Sequence, residues 1–288
     1  MSTWSYKAAP ELSDEQYARW QSLLEKRTGI CFMQHKSILQ KGLRQRMSEV
    51  GAEDYEQYFQ QVSAIPDGVV EWAQLIDKIS VKETSFFRDS YACDVVRDFL
   101  LQRVAENTES ETYPLDIWSV GCSTGEEAYS LAMLASEVID YLAVKKFLGV
   151  MATDISQTAL MMARRGVYSE RKLENLPLAI KNKYFVENKA GDFQISPTLR
   201  QRIYFVPGNM LEIEQAPKLV MDVIFCQNVL VYFRRERQWQ VLNALTEHLK
   251  PGGLLIIGPG EVIGWQHPQM QRSGDDKAQA YIKREVTN

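Results

Sequence analysis

Two segments carry residues whose types and spacing could do chemistry. The first is Gly121-Cys-Ser-Thr-Gly125, a glycine-rich turn between an apolar run at 115–120 and an apolar helical pattern from Glu127. The second is Asp154, which follows the next apolar run, 147–153. In open parallel sheets ligands bind at the carboxyl ends of the strands, where glycines allow close approach and a carboxylate accepts ribose hydroxyls. These residues therefore form the candidate site.

The turn is compatible with several chemistries. The dinucleotide pattern G-x-G-x-x-G is absent, which excludes the usual dinucleotide fingerprint. Gly121, Ser123 and Gly125 match the nucleophile elbow of a serine hydrolase, and Asp222 and His248 follow in the right order. However, an elbow should follow several strands, and only helical patterns precede this one. S-adenosylmethionine, with a zwitterionic tail and a ribose, also suits the turn and the acid. A purely structural strand–helix turn is the remaining interpretation.

The elements that must position these residues alternate between strands and helices. Strands are predicted at 115–120, 147–153, 203–206, 222–226, 254–257 and 281–286, and helices at 127–141, 156–165 and 234–249. The alternation predicts an open, mainly parallel sheet. The last helix is expected to end at Lys250-Pro-Gly-Gly253. A polar, lysine-rich insert at 168–202 is predicted to form a small hairpin or subdomain without the apolar mass to stand alone.

The first eighty residues read as helices. Ser13 and Gln16 form a capping box, and Thr28-Gly29 supplies a stop signal. Further helices are predicted at 36–50, 53–63 and 67–80, the last after the turn signal Ile65-Pro-Asp-Gly68. No strand is predicted before residue 100, and the polar stretch 106–112 is predicted to be a linker.

Composition excludes several functional classes. The chain has 288 residues, 45% hydrophobic and 24% charged, as in globular proteins. No apolar run approaches the roughly 18 residues that span a bilayer, and the first residues lack the apolar region of a signal peptide. Four scattered cysteines and three histidines predict no disulfide framework and no metal site. A cytoplasmic location is expected. The net charge of −4 argues against a general nucleic-acid binder.

The basic residues are unevenly distributed. Residues 20–50 carry six lysines and arginines against two acids, whereas 51–80 carry six acids against one lysine. A charge run is most often a solvated helix face, but a local excess in an acidic protein favours an acidic partner. The predicted contact residues are Lys36, Lys41, Arg44 and Arg46.

Five segments, taken in order, identify a family. They are Glu83-Thr-Ser-Phe-Phe-Arg-Asp89, Gly121-Cys-Ser-Thr-Gly-Glu-Glu127 followed by Ala-Tyr-Ser130, Ala152-Thr-Asp154, Phe225-Cys-Gln-Asn-Val-Leu-Val-Tyr-Phe233, and Leu249-Lys-Pro-Gly-Gly253. Together they resemble the chemoreceptor glutamate methyltransferases of the CheR type over roughly residues 10–286. The implied fold class is α/β: an all-helical N-terminal domain (1–80), an interdomain segment and linker (81–112), and a doubly wound, mainly parallel-sheet methyltransferase domain (113–288) with a small inserted β-subdomain (168–202).

The resemblance also implies a set of site residues. Arg88 and Tyr232 would flank the reactive methyl group as the catalytic pair, and Glu127 and Asp154 would hold the amino and ribose groups of the donor. The implied contacts to S-adenosyl-L-methionine, and to its product S-adenosyl-L-homocysteine, are Lys82, Thr84, Arg88, Gly121, Glu127, Asp154, Asn209, Met210, Gln227 and Asn228.

The sequence departs from the family pattern in three places. Lys82 stands where the family usually has asparagine, and Gln227 where it has arginine. The family's G-H-S-E after the last core strand is here Gly258-Pro-Gly-Glu261. The insert is also short near 187–193. These departures are compatible with a divergent branch that serves a pilus-type or other chemosensory array.

The sequence thus predicts an S-adenosylmethionine-dependent protein-glutamate O-methyltransferase that acts in sensory adaptation. Its partner would be the cytoplasmic helical region of methyl-accepting chemoreceptors, and it would act as a monomer without inserting into the membrane. Two alternatives stay open. One is a serine hydrolase that uses Ser123, and the other is a catalytically inactive methyltransferase fold that serves as a regulatory adaptor.

Overall fold

The computed structural model describes residues 11–32, 36–64, 66–106, 114–274 and 277–285. The chain separates into two compact units, residues 1–81 (unit 1) and residues 82–288 (unit 2). Among the described residues, no helix is long and apolar enough to cross a membrane. The predicted linker beyond Glu106, the turn residue Ile65 and the strand end Val286 lie outside these residues.

Unit 1 consists of helices over its described residues, as predicted: α1 (Asp14–Thr28), α2 (Lys36–Val50), α3 (Tyr55–Ser63) and α4 (Val69–Ile79). The capping box is present, since Gln16 N donates to Ser13 Oγ and Ser13 N donates to Gln16 Oε1, both at 3.1 Å. Gly29, with φ 77°, ends α1 in the left-handed conformation that glycine adopts without strain. Trp20 and Leu24 on α1 are buried in the core of the unit.

Arg46 of α2 belongs to this core and not to the surface. Only 6% of the residue is exposed. Its Nε donates to Glu71 Oε1 at 2.9 Å, and the hydroxyl of Tyr58 donates to the same oxygen at 2.7 Å. Arg46 also pairs with Glu49. A buried charge must be paired, so this cluster fixes α2 against α4 and corrects the placement of Arg46 among the partner-contacting residues.

Unit 2 alternates strands with helices, as predicted. Its helices are α5 (Ser90–Glu106), α6 (Glu126–Tyr141), α7 (Gln157–Arg165), α8 (Leu178–Tyr184), α9 (Pro197–Arg200) and α10 (Arg235–Glu247). Its strands are β1 (Leu115–Val120), β2 (Leu148–Asp154), β3 (Val167–Tyr168), β4 (Phe185–Glu187), β5 (Phe193–Ile195), β6 (Ile203–Pro207), β7 (Met221–Cys226), β8 (Leu249–Ile257), β9 (Met270–Ser273) and β10 (Gln279–Lys283). Short 3₁₀ helices cover Glu170–Leu173, Met210–Gln215 and Leu230–Tyr232.

Seven strands form the central sheet in the order β6–β2–β1–β7–β8–β10–β9. The first five are parallel, whereas β10 runs antiparallel to β8 and β9. Ile117 of β1 packs in an apolar cluster with residues of α5 and α6, and its neighbour Trp118 packs in a second cluster with residues of α10. Successive side chains of a strand point to opposite faces, so both faces are covered by helices. The prediction of a doubly wound, mainly parallel sheet is confirmed.

The insert forms a separate small sheet. β3, β5 and β4 pair antiparallel in that order, with α8 and α9 in the same stretch of chain. The ring of Phe86 lies edge-to-face against Tyr168 and Phe185, at centroid distances of 4.9 and 5.4 Å. The small sheet therefore buries its apolar side chains against the segment that opens unit 2.

Three elements differ from the sequence-based expectations. The segment 81–112 contains α5, whose buried Ala92, Val96, Leu100 and Val104 recur every four residues and join the core of unit 2. The turn Lys250–Gly253 lies inside β8, because the pairing of β8 with β7 shifts register between Met221 and Val223 and admits the irregular backbone. The strand β9 was not predicted.

Candidate functional site

The strand order places a crevice between the carboxyl ends of β1 and β7. The chain runs outward from β1 to β2 and β6, then returns to add β7 on the other side of β1. Ligands bind at such a switch point. The loops after β1 and β7 meet there, because a Cβ built on Gly121 would lie 2.4 Å from Val229 Cγ2. Gly121 also has φ +79°, so both its contact and its conformation require glycine.

Asp154 ties the glycine-rich turn to the end of β2. Its Oδ2 accepts the N–H of Ser123 at 2.8 Å, and its Oδ1 accepts the N–H of Ser156 at 2.8 Å. Ser123 has φ 50°, a conformation that serine adopts only at a cost. Its Oγ is buried and has no hydrogen-bond partner. The carboxylate thus fixes the turn at the carboxyl end of β2.

Glu127, on the first turn of α6, lies beneath the turn. Its Oε1 accepts the hydroxyl of Ser119 at 2.6 Å. The pKa of Glu127 is raised to about 8, chiefly by burial and also by the nearby carboxylates of Glu261 and Asp154, whereas Ser119 and Arg88 oppose the rise. Without a cation beside it, this carboxyl is therefore mostly protonated at pH 7.

Glu261 holds the loop that follows β7. Its carboxylate accepts the N–H groups of Asn228 and Leu230, the latter at 3.2 Å. Burial raises its pKa to about 6, against these hydrogen bonds and Arg88. A Cβ on Gly258 would lie 2.1 Å from Glu261 Oε1, so the glycine makes room for the carboxylate. Glu261 is the last residue of the Gly258–Glu261 segment. The hydrogen bonds between its carboxylate and the loop after β7 were not predicted.

Arg88 and Tyr232 approach the crevice from two segments. Arg88 is exposed and donates from Nη1 to Glu83 O at 3.0 Å. Its charge lowers the pKa values of Glu127, Glu261 and Tyr232 against the larger effect of burial. Arg88 therefore lies near enough to these three groups to interact with them electrostatically. The structure thus brings together Arg88, Tyr232 and Glu127 and adds Glu261.

The segment 83–89 is anchored along its length. Lys172 Nζ donates to Thr84 O at 2.8 Å and to the buried carboxylate of Glu126 at 2.9 Å. Phe87 N donates to Ser130 Oγ on α6 at 2.9 Å. Thr84 therefore lies where the small sheet and α6 meet, while Lys82, partly exposed, precedes this anchored stretch.

Asn209 and Met210 follow β6 beside Asp154. Gly208 N donates to Asp154 O at 3.0 Å, which places the next two residues at the carboxyl end of β2. The side chain of Asn209 caps the following 3₁₀ helix by accepting Leu211 N at 3.1 Å. Both residues are partly exposed, as a contact to a ligand requires.

Backbone strain is concentrated around the crevice. Among the described residues, four non-glycine residues have positive φ, and three of them lie in its loops: Phe87 (48°), Ser123 (50°) and Asn228 (60°). Such conformations persist where the surrounding structure enforces them, most often at functional sites.

The hydrolase alternative is wrong, because its triad is not assembled. Ser123 follows the carboxyl end of β1, whereas Asp222 lies at the start of the parallel strand β7. Asp222 is fully buried and accepts Lys250 Nζ at 2.7 Å and Asp116 N at 3.0 Å. His248 accepts the N–H of Leu219 at Nδ1. Four strand residues at about 3.3 Å each separate the two edges of the sheet, far beyond hydrogen-bond reach.

The residues present fit S-adenosylmethionine. Its ammonium and sulfonium groups are cations, and the carboxyl groups of Glu127, Asp154 and Glu261 contact the end of β1, the glycine-rich turn and the loop after β7, which border the crevice. The unpartnered hydroxyl of Ser123 offers a further polar contact. The amide nitrogen of Gln227 is not available to a ligand, because Nε2 donates to Asp89 Oδ2 and Ile257 O.

Comparison with known proteins identifies the family of both units. Residues 15–80 match the family described as "CheR methyltransferase, all-alpha domain", and residues 82–278 match "CheR methyltransferase, SAM binding domain". A chemotaxis protein methyltransferase of Borreliella burgdorferi is 31% identical over 254 residues, which cover 88% of this chain and 89% of that protein. Chemotaxis protein methyltransferase 2 of Vibrio cholerae is 31% identical over 87% of this chain and 86% of its own.

The Escherichia coli chemotaxis protein methyltransferase is 29% identical, over 87% of this chain and 85% of that protein. The match thus spans both units, and it includes the donor-binding domain that holds the carboxylates of the crevice. The chain belongs to the CheR methyltransferase family, with S-adenosylmethionine as its methyl donor.

Proposed function

We propose that the protein forms methyl esters on glutamate side chains of methyl-accepting chemoreceptors, in sensory adaptation. The observation that carries this proposal is the crevice itself. Carboxylates line it where a cationic donor would bind, and an exposed arginine, Arg88, and a tyrosine, Tyr232, stand at its rim. The relatives named chemotaxis protein methyltransferase support the choice of receptor.

The chemistry suits the residues present. When bound, the donor supplies an activated methyl group on a sulfonium sulfur. A glutamate acceptor, with a pKa of about 4.3, is already ionised at neutral pH, so no general base is required. Arg88 can orient the acceptor carboxylate with its forked guanidinium. Tyr232, whose pKa is raised by burial, keeps its hydroxyl proton and can donate a hydrogen bond. The protein contributes alignment and exclusion of water.

A regulatory adaptor that binds the donor without transfer is the second candidate. It is favoured by the departures at Lys82 and Gln227, since the Gln227 amide nitrogen donates away from the donor. The two proposals differ in one measurable respect, because only the enzyme converts S-adenosylmethionine into S-adenosylhomocysteine.

Unit 1 is proposed to contact an acidic receptor helix through Lys41 and Arg44 of α2. Lys41 is exposed, and Arg44 is partly exposed and donates to the hydroxyl of Tyr55 at 3.3 Å. Lys36 forms an ion pair with Asp14 at 2.6 Å, which partly neutralises its positive charge. Arg46 is excluded by its burial in the core. We further propose that the protein acts in the cytoplasm as a monomer.

The proposed function is tested with receptor-containing membranes and a methyl-labelled donor. Label should enter the receptor band and be released as methanol by mild alkali, as expected for a carboxylate ester. Calorimetry with S-adenosylhomocysteine measures binding at the donor site separately from transfer. Binding without transfer would establish the adaptor, and alkali-stable label would contradict esterification.

A further inference from the structure

Gln227 directly follows β7 at its carboxyl end, beside the crevice. Only 4% of it is exposed. Its Nε2 donates to Asp89 Oδ2 at 2.9 Å and to Ile257 O, at the end of β8, at 3.3 Å. An amide nitrogen carries two hydrogens, so both are committed within the protein. The amide nitrogen therefore has no hydrogen left for the donor.

Asp89 is held on both sides of its carboxylate. Oδ2 accepts Gln227, and Oδ1 accepts the N–H of Ala92 at 3.0 Å in the first turn of α5. The backbone oxygen of Asp89 accepts Cys93 N at 3.0 Å. Ala92 and Cys93 are buried in the core of unit 2. Asp89 therefore links the start of α5 to the ends of β7 and β8.

Arg88 lies between two anchored neighbours. Phe87 is fixed to α6 through Ser130 and has φ 48°, and Asp89 is fixed to β7 through Gln227. The guanidinium of Arg88 itself donates to Glu83, within its own segment. The position of the Arg88 backbone over the crevice thus depends on the two flanking attachments.

We infer that Gln227 is a positioning residue, which acts on methyl transfer through Asp89 and Arg88 and does not contact the donor. The inference rests on the proposed function. It also accounts for glutamine at a position where the family pattern has arginine, because either side chain can donate a hydrogen bond to the Asp89 carboxylate. Glutamine does so without adding a positive charge beside a cationic donor.

The test compares methyl transfer and donor binding in Gln227→Met. Methionine keeps the length of the side chain and removes the amide. We expect kcat to fall about tenfold, which corresponds to about 1.4 kcal/mol and to the loss of one hydrogen bond to a carboxylate. The dissociation constant of S-adenosylhomocysteine should stay within about twofold, since the donor contacts remain.

Two further variants provide rescue and coupling. Gln227→Arg restores a donor to Asp89 and should keep kcat within about threefold of the wild type. The double variant Asp89→Asn with Gln227→Met should lose no more activity than Gln227→Met alone, because both changes remove one interaction. If Gln227→Met does not fold, Asp89→Asn and Gln227→Arg still give opposite expected results, a loss and a retention of kcat.

Gln21→Met is the matched control. Gln21 is a buried glutamine of α1 whose Oε1 accepts Phe32 N at 2.8 Å. Its replacement should lower the melting temperature while kcat stays unchanged, which separates general destabilisation from positioning.

The remaining outcomes distinguish a failure of this inference from a failure of the proposed function. Weaker donor binding in Gln227→Met with kcat unchanged would show direct donor contact and overturn the inference. Wild-type kcat in Gln227→Met would overturn the inference alone. A wild-type protein that transfers no methyl group would overturn the proposed function and this inference with it.

Discussion

Donor binding should release a proton from Glu127. Burial and the neighbouring carboxylates raise the pKa of this carboxyl to about 8 in the free protein. A donor ammonium placed beside it would favour the ionised form and lower that pKa. The carboxyl must therefore lose its proton as the donor binds at neutral pH.

The magnitude follows from the pKa. With a pKa of about 8, roughly nine tenths of the Glu127 carboxyls carry a proton at pH 7, so binding should release about 0.9 proton. Deprotonation at pH 7 costs about 1.4 kcal/mol, and affinity should rise up to about tenfold from pH 7 towards pH 8–9. The donor's own ammonium loses its proton at higher pH, so the rise in affinity should level off and then reverse in the alkaline range.

Calorimetry measures this release directly. S-adenosylhomocysteine is titrated at pH 7 in two buffers of different ionisation enthalpy, and the difference in apparent binding enthalpy gives the number of protons released. Glu127→Gln should abolish the release. Glu137→Gln is the matched control, because Glu137 lies on the same helix, is only partly buried, and pairs with Lys183 at 2.5 Å. Equal enthalpies in the two buffers for the wild type would refute the assignment of Glu127.

Further predictions concern four single positions. Ser123→Ala should retain most methyl transfer and Ser123 should resist fluorophosphonate; covalent labelling would revive the hydrolase. Asp154→Ala should weaken donor binding by at most about 3 kcal/mol, and unchanged affinity in calorimetry would refute the crevice. Arg46→Ala leaves Glu71 charged and buried, so unit 1 should lose about 3–5 kcal/mol in denaturant unfolding. Lys41→Glu should instead keep stability and slow receptor methylation at low salt. A small loss of stability in Arg46→Ala, or a normal methylation rate in Lys41→Glu, would contradict the assignment of Arg46 to the core and Lys41 to the receptor contact.

Local signals were sufficient wherever a few neighbouring residues settle the structure. The capping box at Ser13 and the stop at Gly29 define α1, and the glycine turn after β1 has the positive φ values that its glycines suggest. The helix α5 was missed, although Ala92, Val96, Leu100 and Val104 repeat at helical spacing. The four-residue spacing of these apolar side chains is the sequence signal for the helix, and the polar residues between them obscure it.

Charge at the surface could not be inferred from the sequence alone. Lys41 and Arg46 are both basic residues of α2, yet Lys41 is exposed and Arg46 is buried. The difference arises because Arg46 faces Glu71 of α4, 25 residues away. A run of charges therefore predicts a solvated face only where no distant partner buries one of its members.

The sequence by itself determined most of the elements, the alternation of strands with helices, and the glycine-rich turn after β1, because these depend on interactions within a few residues. The tertiary structure decided which side chains share the crevice. Glu261 meets the loop after β7, and Gln227 meets Asp89 across 138 residues of sequence. Such contacts follow from the order of strands in the sheet, which depends on burying the whole apolar surface at once and which no local pattern encodes.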